Sequence, residues 1–275
     1  MDSILEPSTC SGSSNFVRVP LGSLFAHHVT FDAAVEAIVS RARTGLGGYV
    51  VTPNVDHVCV AEHNEGFRTA HRAAFLSVVD GTPLMWLARA DGQPLPARIA
   101  GSDLIVPIST RARTEGLTVG LFGASEAASL KAQDKLLKTI PGLTIVCRVC
   151  PRFDPTGNDL DAVDQTRLSI EAVRSARPDI LFVAMGTPNQ ELFMHRYAAE
   201  LSPSVLCGIG AGLDFVAGDR VRAPQLFQRL GLEWFFRLLQ EPSRMWRRYL
   251  VRDWAIFGIA YRQIRNSRSG GKGEA

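Results

Sequence analysis

Residues 181–193 read LFVAMGTPNQELF, an apolar run that changes abruptly into a polar turn. Leu181–Met185 has the length and composition of a strand that is buried on both faces. The residues from Gly186 to Glu191 then carry an amide and an acid before the apolar pattern of a helix begins. Open α/β sheets bind ligands beyond the carboxyl ends of their strands, so this stretch predicts both a parallel sheet and a candidate site.

The same transition from strand to polar turn recurs along the chain. The predicted strands are Tyr49–Thr52, Phe75–Val79, Leu117–Phe122, Leu143–Cys147, Ile180–Met185 and Ser204–Ile209. Amphipathic helical patterns lie between them, at Phe31–Arg43, Ser125–Leu137 and Leu160–Ser175. This alternation predicts an α/β fold, a Rossmann-like parallel sheet with helices on both faces, plus a basic, aromatic C-terminal helical appendage. We expect a disordered leader at 1–15, an α/β catalytic domain at 16–232, the appendage at 233–265 and a disordered tail at 266–275.

Composition and charge narrow the class of protein. Of 275 residues 46% are hydrophobic and 21% charged, which is ordinary for a globular protein, and no run reaches the roughly 18 apolar residues of a membrane span. The first residues lack the basic segment of a secretory signal, and five scattered cysteines do not suggest a disulfide framework, so we expect a cytoplasmic location. Residues 1–219 have a net charge of −5 and residues 220–275 one of +8, which predicts an anionic partner for the C-terminal segment.

Polar or glycine-rich turns follow five of the predicted strands. They contain Asn54, Asp80, the Gly123–Glu126 segment, Gly186 and Gly210. Any one of the polar side chains could simply cap the next helix, since these residue types are the preferred caps. Five such turns at one edge of a sheet favour a functional site over capping alone.

Six segments of the sequence resemble one known family. They are TPNVDHV, VVDGTPLMWLAR, PLPARIAGSDL, PDILFVAMGTPNQELF, GIGAGLDFVAGDRVRAP and RLGLEWFFRLLQEPSRMWRRY. In this order they are similar to the WecG/TagA/CpsF glycosyltransferases of bacterial surface-polymer synthesis. The resemblance implies an inverting enzyme that moves a sugar from a UDP-sugar to a sugar on a polyprenyl diphosphate lipid, peripherally at the inner face of the cell membrane.

The resemblance also implies roles for particular residues. Asp80 is expected to be the general base, with Asn54, Arg98 and Gln190 beside it in the pocket. Substrate binding is expected from Thr52, Gly186, Pro188, Glu191, Gly210 and, in the appendage, Arg237, Arg244 and Arg247. The turn at 186–191 differs slightly from the family pattern, with Thr187 and Asn189 where Ser and Lys are common.

The chemistry of glycosyl transfer is consistent with these assignments. An ionised aspartate can remove the proton of an acceptor hydroxyl, and arginine can neutralise a departing diphosphate through its planar pair of donors. The only Asp-x-Asp sequence, Asp159–Asp161, stands at a predicted helix start, where capping is the favoured role. We therefore expect no cofactor and no required metal, with arginines stabilising the leaving group.

Several alternatives remain open. The GIGAG segment at 208–212 follows a strand as a dinucleotide-binding turn would, but Leu213 occupies the third glycine position, so an oxidoreductase is the weaker hypothesis. A non-catalytic membrane scaffold is a second alternative. We expect Cys147 and Cys150 to serve packing, and His57, His63 and His71 to be surface or capping residues.

The partners are an open question in part. The C-terminal segment interleaves aromatic residues with arginines, which favours an anionic membrane surface over an ordinary internal helix. Nucleic acid would explain the arginines, but no base-readout module is recognisable, so we expect none. Glucose, N-acetylmannosamine and its uronic acid all remain candidate donor sugars, and a homo-oligomer is also left open.

Overall fold

A computed structural model describes residues 16–221, 223–224, 227, 233–240, 246 and 253–270. The strands are β1 (Arg18–Leu21), β2 (Leu24–His27), β3 (Gly48–Val51), β4 (Leu76–Ser77), β5 (Thr118–Gly123), β6 (Thr144–Val149), β7 (Ile180–Ala184) and β8 (Val205–Gly208). Strands β3 to β8 form one sheet in the order β4-β3-β8-β7-β5-β6, and every neighbouring pair is parallel. The predicted α/β fold with a parallel sheet is confirmed, and each predicted strand overlaps an observed one.

Helices connect these strands and cover the sheet. They are α1 (Phe31–Arg43), α2 (Val55–Ala61), α3 (Glu65–Ala73), α4 (Thr82–Ala90), α5 (Gly101–Glu115), α6 (Glu126–Thr139), α7 (Leu160–Ala176), α8 (Asn189–Tyr197), α9 (Gly212–Ala217), α10 (Glu233–Gln240) and α11 (Ala255–Gly270). Helix α1 has the predicted bounds, and its N-cap Thr30 accepts a hydrogen bond from the backbone N–H of Ala33.

The sheet is buried on both faces because consecutive strand residues point to opposite sides. In β7, Phe182 packs into a core formed with α1, α5, α6 and α9, whereas Leu181 and Val183 pack into a second core with α7 and α8. All five residues of β7 are buried. This explains why the predicted strands are continuous apolar runs rather than alternating ones.

The first two strands, β1 and β2, form a hairpin that was not predicted from the sequence. The two strands pair antiparallel around Gly22, whose φ of 63° suits a tight turn. The hairpin covers His71, which is buried and lies with its Nε2 2.7 Å from the carbonyl oxygen of Phe25. The expectation that His71 is a surface or capping residue is therefore wrong.

Helix α11 packs against this hairpin. The Gln263 side chain accepts a hydrogen bond from the N–H of Gly22 at 2.7 Å and donates to the carbonyl of Pro20 at 3.0 Å, while Ile259 is buried beside Gly22. The helix continues to Gly270, so residues 266–270 are not part of a disordered tail as expected. An established helix adds residues at little cost, which explains why polar residues continue it.

The remaining predicted boundaries stay predictions. The expected leader at 1–15 and residues 271–275 lie outside the described residues, as does most of the segment around the expected boundary at 232. No helix in the described ranges is both long and apolar enough to cross a bilayer.

The last residue of β5, Gly123, provides a test of how tightly the carboxyl edge of the sheet is packed. Gly123 has a φ of 97°, and a Cβ there would lie 2.2 Å from the carbonyl oxygen of Ala184. We expect Gly123→Ala to lower the free energy of unfolding by more than about 3 kcal/mol, since strain and a backbone clash combine. Gly116→Ala is the matched control, because Gly116 has a φ of 70° but nothing within 4 Å of its Cβ position. It should lose only about 1 kcal/mol in urea unfolding, and equal losses would contradict the prediction.

Candidate active site

The predicted site residues of the body meet at the carboxyl edge of the sheet. Because the six strands are parallel, Asn54 after β3, Asp80 after β4, the 186–190 turn after β7 and Gly210 after β8 all leave the sheet on the same side. The N–H of Asp80 donates to the carbonyl of Pro53 at 2.8 Å, which joins the first two of these turns. The shared edge predicted from the sequence is confirmed.

Asp80 and Arg98 form a charged cluster at this edge. One guanidinium nitrogen of Arg98 lies 3.7 Å from Asp80 Oδ1, and another lies 3.6 Å from Oδ2 of Asp103 in the first turn of α5. Backbone pairing between Ile99 and Val79 holds Arg98 next to Asp80. All three charged side chains are a fifth to a quarter exposed, so the cluster can be reached from solvent.

Asp80 is not a helix cap. Helix α4 begins after Gly81, and no side chain makes a capping hydrogen bond to its first turn. Pro83 occupies that turn, as the sequence predicts, and has no N–H to satisfy there. The sequence left capping open for Asp80, and in the structure Gly81 rather than Asp80 occupies the N-cap position of α4.

Asn54, in contrast, does cap a helix. Its side-chain oxygen accepts from the backbone N–H of His57 at 3.3 Å, and its own N–H donates to His57 Nδ1 at 3.3 Å, which completes a capping box at the start of α2. Thr52 is buried two residues before Asn54, with its hydroxyl 3.4 Å from the carbonyl oxygen of Gly208. The pocket roles of both residues stay predictions.

Gln190 and Glu191 face the interior of the protein. The side-chain oxygen Oε1 of Gln190 accepts a hydrogen bond from the N–H of Gly210 at 2.8 Å, and its side-chain nitrogen Nε2 donates to Glu191 Oε1 at 2.9 Å. Gln190 is 2% exposed and Glu191 is fully buried. These contacts connect the turns after β7 and β8, and the proposed substrate contacts of both side chains stay predictions.

His57 belongs to the same buried group, which the sequence analysis did not anticipate. Its Nε2 hydrogen-bonds to the hydroxyl of Thr187 and lies 3.8 Å from Glu191 Oε1. The expected capping role is confirmed, but His57 is buried, at 4% exposure, and is not a surface residue. A histidine at the capping-box position, where Glu or Gln is usual, was the signal available in the sequence.

Two glycines leave open space above this group. A Cβ at Gly186 or Gly210 would meet nothing within 4 Å, whereas one at Gly208 would come within 2.5 Å of the Gln190 amide nitrogen. The backbone of the turns after β7 and β8 is therefore exposed to an approaching ligand, while the strand below it is closely packed. Pro188 lies two residues after Gly186 in the turn after β7 and is partly exposed.

Asp159 has the predicted capping role, whereas the expected absence of a required metal and the arginine assignments stay predictions. Asp159 caps α7 by accepting from the N–H of Ala162, as expected. No group of three or more His, Cys, Asp or Glu residues within the described ranges could hold a metal ion. The backbone of Arg237 lies in α10, but its side chain, together with all of Arg244 and Arg247, lies outside the described residues.

Comparisons with known proteins identify the same family as the six sequence segments do. A family model described as "Glycosyl transferase WecG/TagA/CpsF family" matches residues 19–270. A relative from Bacillus spizizenii, named N-acetylglucosaminyldiphosphoundecaprenol N-acetyl-beta-D-mannosaminyltransferase, is 30% identical over 80% of this chain and 83% of its own length. A protein of the same name from Bacillus subtilis is 28% identical over 74% of this chain and 76% of its own.

The buried carboxyl of Glu191 predicts a pH dependence of stability. Burial raises the pKa of Glu191 from 4.5 to about 8, with the nearby Asp56 carboxylate adding to the increase, while hydrogen bonds from Gln190 and its own backbone oppose it. The other titratable groups that face it are His57 on α2 and Tyr49 on β3. The folded state holds the proton of Glu191 more tightly than the unfolded state does. The stabilisation of the fold by this proton is therefore complete below pH 4.5 and is lost as the pH rises through 8.

We therefore expect Glu191→Gln to flatten the pH dependence of the free energy of unfolding between pH 5 and 8. The wild type should lose stability relative to this variant by an amount on the order of a few kcal/mol across that range. Urea titrations at several pH values measure it. Glu171→Gln, which changes an exposed carboxylate on α7, is the control and should leave the wild-type slope intact. An unchanged slope in Glu191→Gln would contradict the assignment.

Proposed function

The chain belongs to the WecG/TagA/CpsF glycosyltransferase family, and from this premise we propose that it transfers a sugar from a UDP-sugar to a sugar carried on a polyprenyl diphosphate. The observation that carries the proposal is the carboxylate of Asp80, which stands beside Arg98 at the carboxyl edge of the sheet and is a quarter exposed to solvent. The names of the two relatives specify N-acetylglucosaminyldiphosphoundecaprenol as the acceptor and an N-acetylmannosaminyl group as the sugar that is transferred. We therefore place UDP-N-acetylmannosamine first among the donors to test.

In the proposed reaction, Asp80 takes the proton of the acceptor hydroxyl as that oxygen attacks the anomeric carbon of the donor. The bond from this carbon to the diphosphate oxygen breaks, and UDP leaves with the electron pair. Attack from the side opposite the leaving group inverts the anomeric centre, which accords with the beta linkage in the names of the relatives. Arg98, within 4 Å of Asp80, orients the carboxylate toward the acceptor in this proposal.

The nucleotide diphosphate has a suitable place on the same edge. The open backbone at Gly186 and Gly210 lets a phosphate or ribose approach the main chain closely. Arg237, Arg244 and Arg247 are proposed to neutralise the charge that develops on UDP, because arginine binds phosphate through paired donors. In this proposal Thr52, Pro188 and Asn54 line the acceptor side of the pocket.

The proposal also places the protein at a membrane surface. In and just before α11, Trp254, Phe257 and Tyr261 are 60%, 66% and 66% exposed and follow one another at helical spacing. The opposite side of α11 is occupied by contacts with the hairpin and with α2. An exposed aromatic stripe next to arginines suits the headgroup region of an anionic bilayer, where a polyprenyl-linked acceptor would be found.

A donor panel tests the proposed function directly. UDP-N-acetylmannosamine, its uronic acid and UDP-glucose are each incubated with a short-chain polyprenyl-diphosphoryl N-acetylglucosamine, and products are identified by mass. We expect one donor to give a product extended by one sugar. Asp80→Asn should fold and bind UDP but lose transfer by a factor on the order of 10²–10⁴, because an amide cannot accept the proton.

Thermal-shift titration with UDP and with NAD(P)H is run beside the panel. Stabilisation by NAD(P)H and not by UDP, with no sugar product, would support the oxidoreductase alternative instead. Turnover of Asp80→Asn within threefold of the wild type would remove Asp80 from the role of base. Failure of every donor to react would defeat the proposal.

The membrane contact is tested by sedimentation with vesicles containing about 30% anionic lipid. We expect the double change Trp254→Ser and Phe257→Ser to weaken binding by about tenfold or more, since two large apolar side chains no longer enter the interface. Leu160→Ser with Leu168→Ser is the matched control, because these α7 side chains are 76% and 73% exposed and lie on another part of the surface. Equal losses from the two pairs would contradict a specific contact through α11.

A further inference from the structure

His57 connects two of the turns that form the candidate site. On one side its Nδ1 accepts from the backbone N–H of Asn54, and on the other its Nε2 contacts the hydroxyl of Thr187. The imidazole is buried against Phe67, with ring centroids 5.6 Å apart. The side chain is thus held between the turn after β3 and the turn after β7, and neither turn can shift without disturbing it.

The hydrogen bonds fix the state of the ring. An N–H of the backbone can only donate, so Nδ1 must present its lone pair to Asn54. In an imidazole with an unprotonated Nδ1, the proton is carried by Nε2, which therefore donates to Thr187 Oγ1. His57 is then neutral, and its 3.8 Å approach to Glu191 is a contact between polar groups rather than an ion pair.

The connection continues from α2 to the turn after β8. Glu191 lies beside His57 and accepts from the Gln190 amide, and Gln190 in turn accepts from the N–H of Gly210. Thr187, Gln190 and Glu191 belong to one turn and the start of one helix, so a displacement of Thr187 changes the position of Gln190. Three strand ends are thereby joined by side chains that lie beneath the edge of the sheet.

We propose that His57 is a positioning residue for sugar transfer, which sets the distance between the Asn54 turn and the Thr187–Gln190 turn through its Nε2–H hydrogen bond to Thr187. It touches neither substrate nor reacting atoms. This inference rests on the proposed function, in which the Asn54 turn lines the acceptor side of the pocket and the turn after β7 approaches both the nucleotide, at Gly186, and the acceptor, at Pro188. A misplacement of about 1 Å can lower an enzymatic rate by about 100-fold, so a bond between the turns affects turnover more than donor binding.

Two single variants and their combination test the hydrogen bond. His57→Asn keeps an oxygen near the Nδ1 position to accept from Asn54, and it removes the donor to Thr187 together with the ring contact to Phe67. Thr187→Val removes only the hydroxyl. We expect each to lower kcat by about tenfold, with KM for the donor within twofold. The double variant should be no slower than the slower single one, because both changes delete one interaction.

Further variants separate positioning from general destabilisation. Thr187→Ser restores the hydroxyl. The logarithm of its kcat should therefore lie at least halfway from the Thr187→Val value to the wild-type value. His63→Asn alters an exposed histidine just after the same helix and should have no effect. Three results would each overturn the proposal. The first is a double variant whose loss in kcat equals the product of the two single losses, and the second is a Thr187→Ser variant as slow as Thr187→Val. The third is variants that lower the melting temperature but leave kcat unchanged.

A spectroscopic measurement keeps the test independent of turnover. The imidazole ¹⁵N spectrum of the wild-type protein, assigned through the signal missing in His57→Asn, should show an unprotonated Nδ1 and a protonated Nε2 for His57. A protonated Nδ1 would overturn the inference whatever the kinetics show. If no donor reacts with the wild type, the proposed function fails and with it the role of His57 in transfer. Transfer by the wild type with unaffected variants defeats the positioning role alone.

Discussion

The parallel direction of all six central strands is the constraint on which the rest of this structure depends. Parallel strands require crossover helices, and those helices bury both faces of the sheet, so no face is left to bind a ligand. The carboxyl edge is then the place where polar side chains can collect without disturbing a core. Asp80 and Arg98 are close together for this reason, although 17 residues and helix α4 separate them in the chain.

The edge has two layers with different electrostatics. Its outer layer is charged and open to solvent, as the Asp80–Arg98–Asp103 cluster shows. The inner layer consists of buried polar groups, and burial favours their neutral forms, as the raised pKa of Glu191 indicates. Hydrogen bonds among neutral groups avoid the cost of a buried charge, so this layer can be rigid while the charged side chains remain in the solvent-accessible layer above it.

The fold and the shared edge could be predicted because apolar runs of strand length are directly visible in the sequence, as at 181–185. The hairpin could not be recognised with the same ease, since its strands have four residues each and Pro20 interrupts one of them. Helix α2 spans only seven residues, too few for a periodicity that would reveal His57 as buried. Gln190 and Glu191 follow a strand directly, and nothing in their identity shows that they turn inward.

The contact between α11 and the first hairpin has a consequence for synthesis. Gln263 completes hydrogen bonds of Pro20 and Gly22, which precede it by more than 240 residues. A ribosome delivers the hairpin long before α11, so these strands leave the exit tunnel well ahead of the helix that covers them. The hairpin and its apolar neighbour Val58 therefore await the synthesis of α11, and nascent intermediates carry an uncovered apolar surface of the kind that chaperones bind.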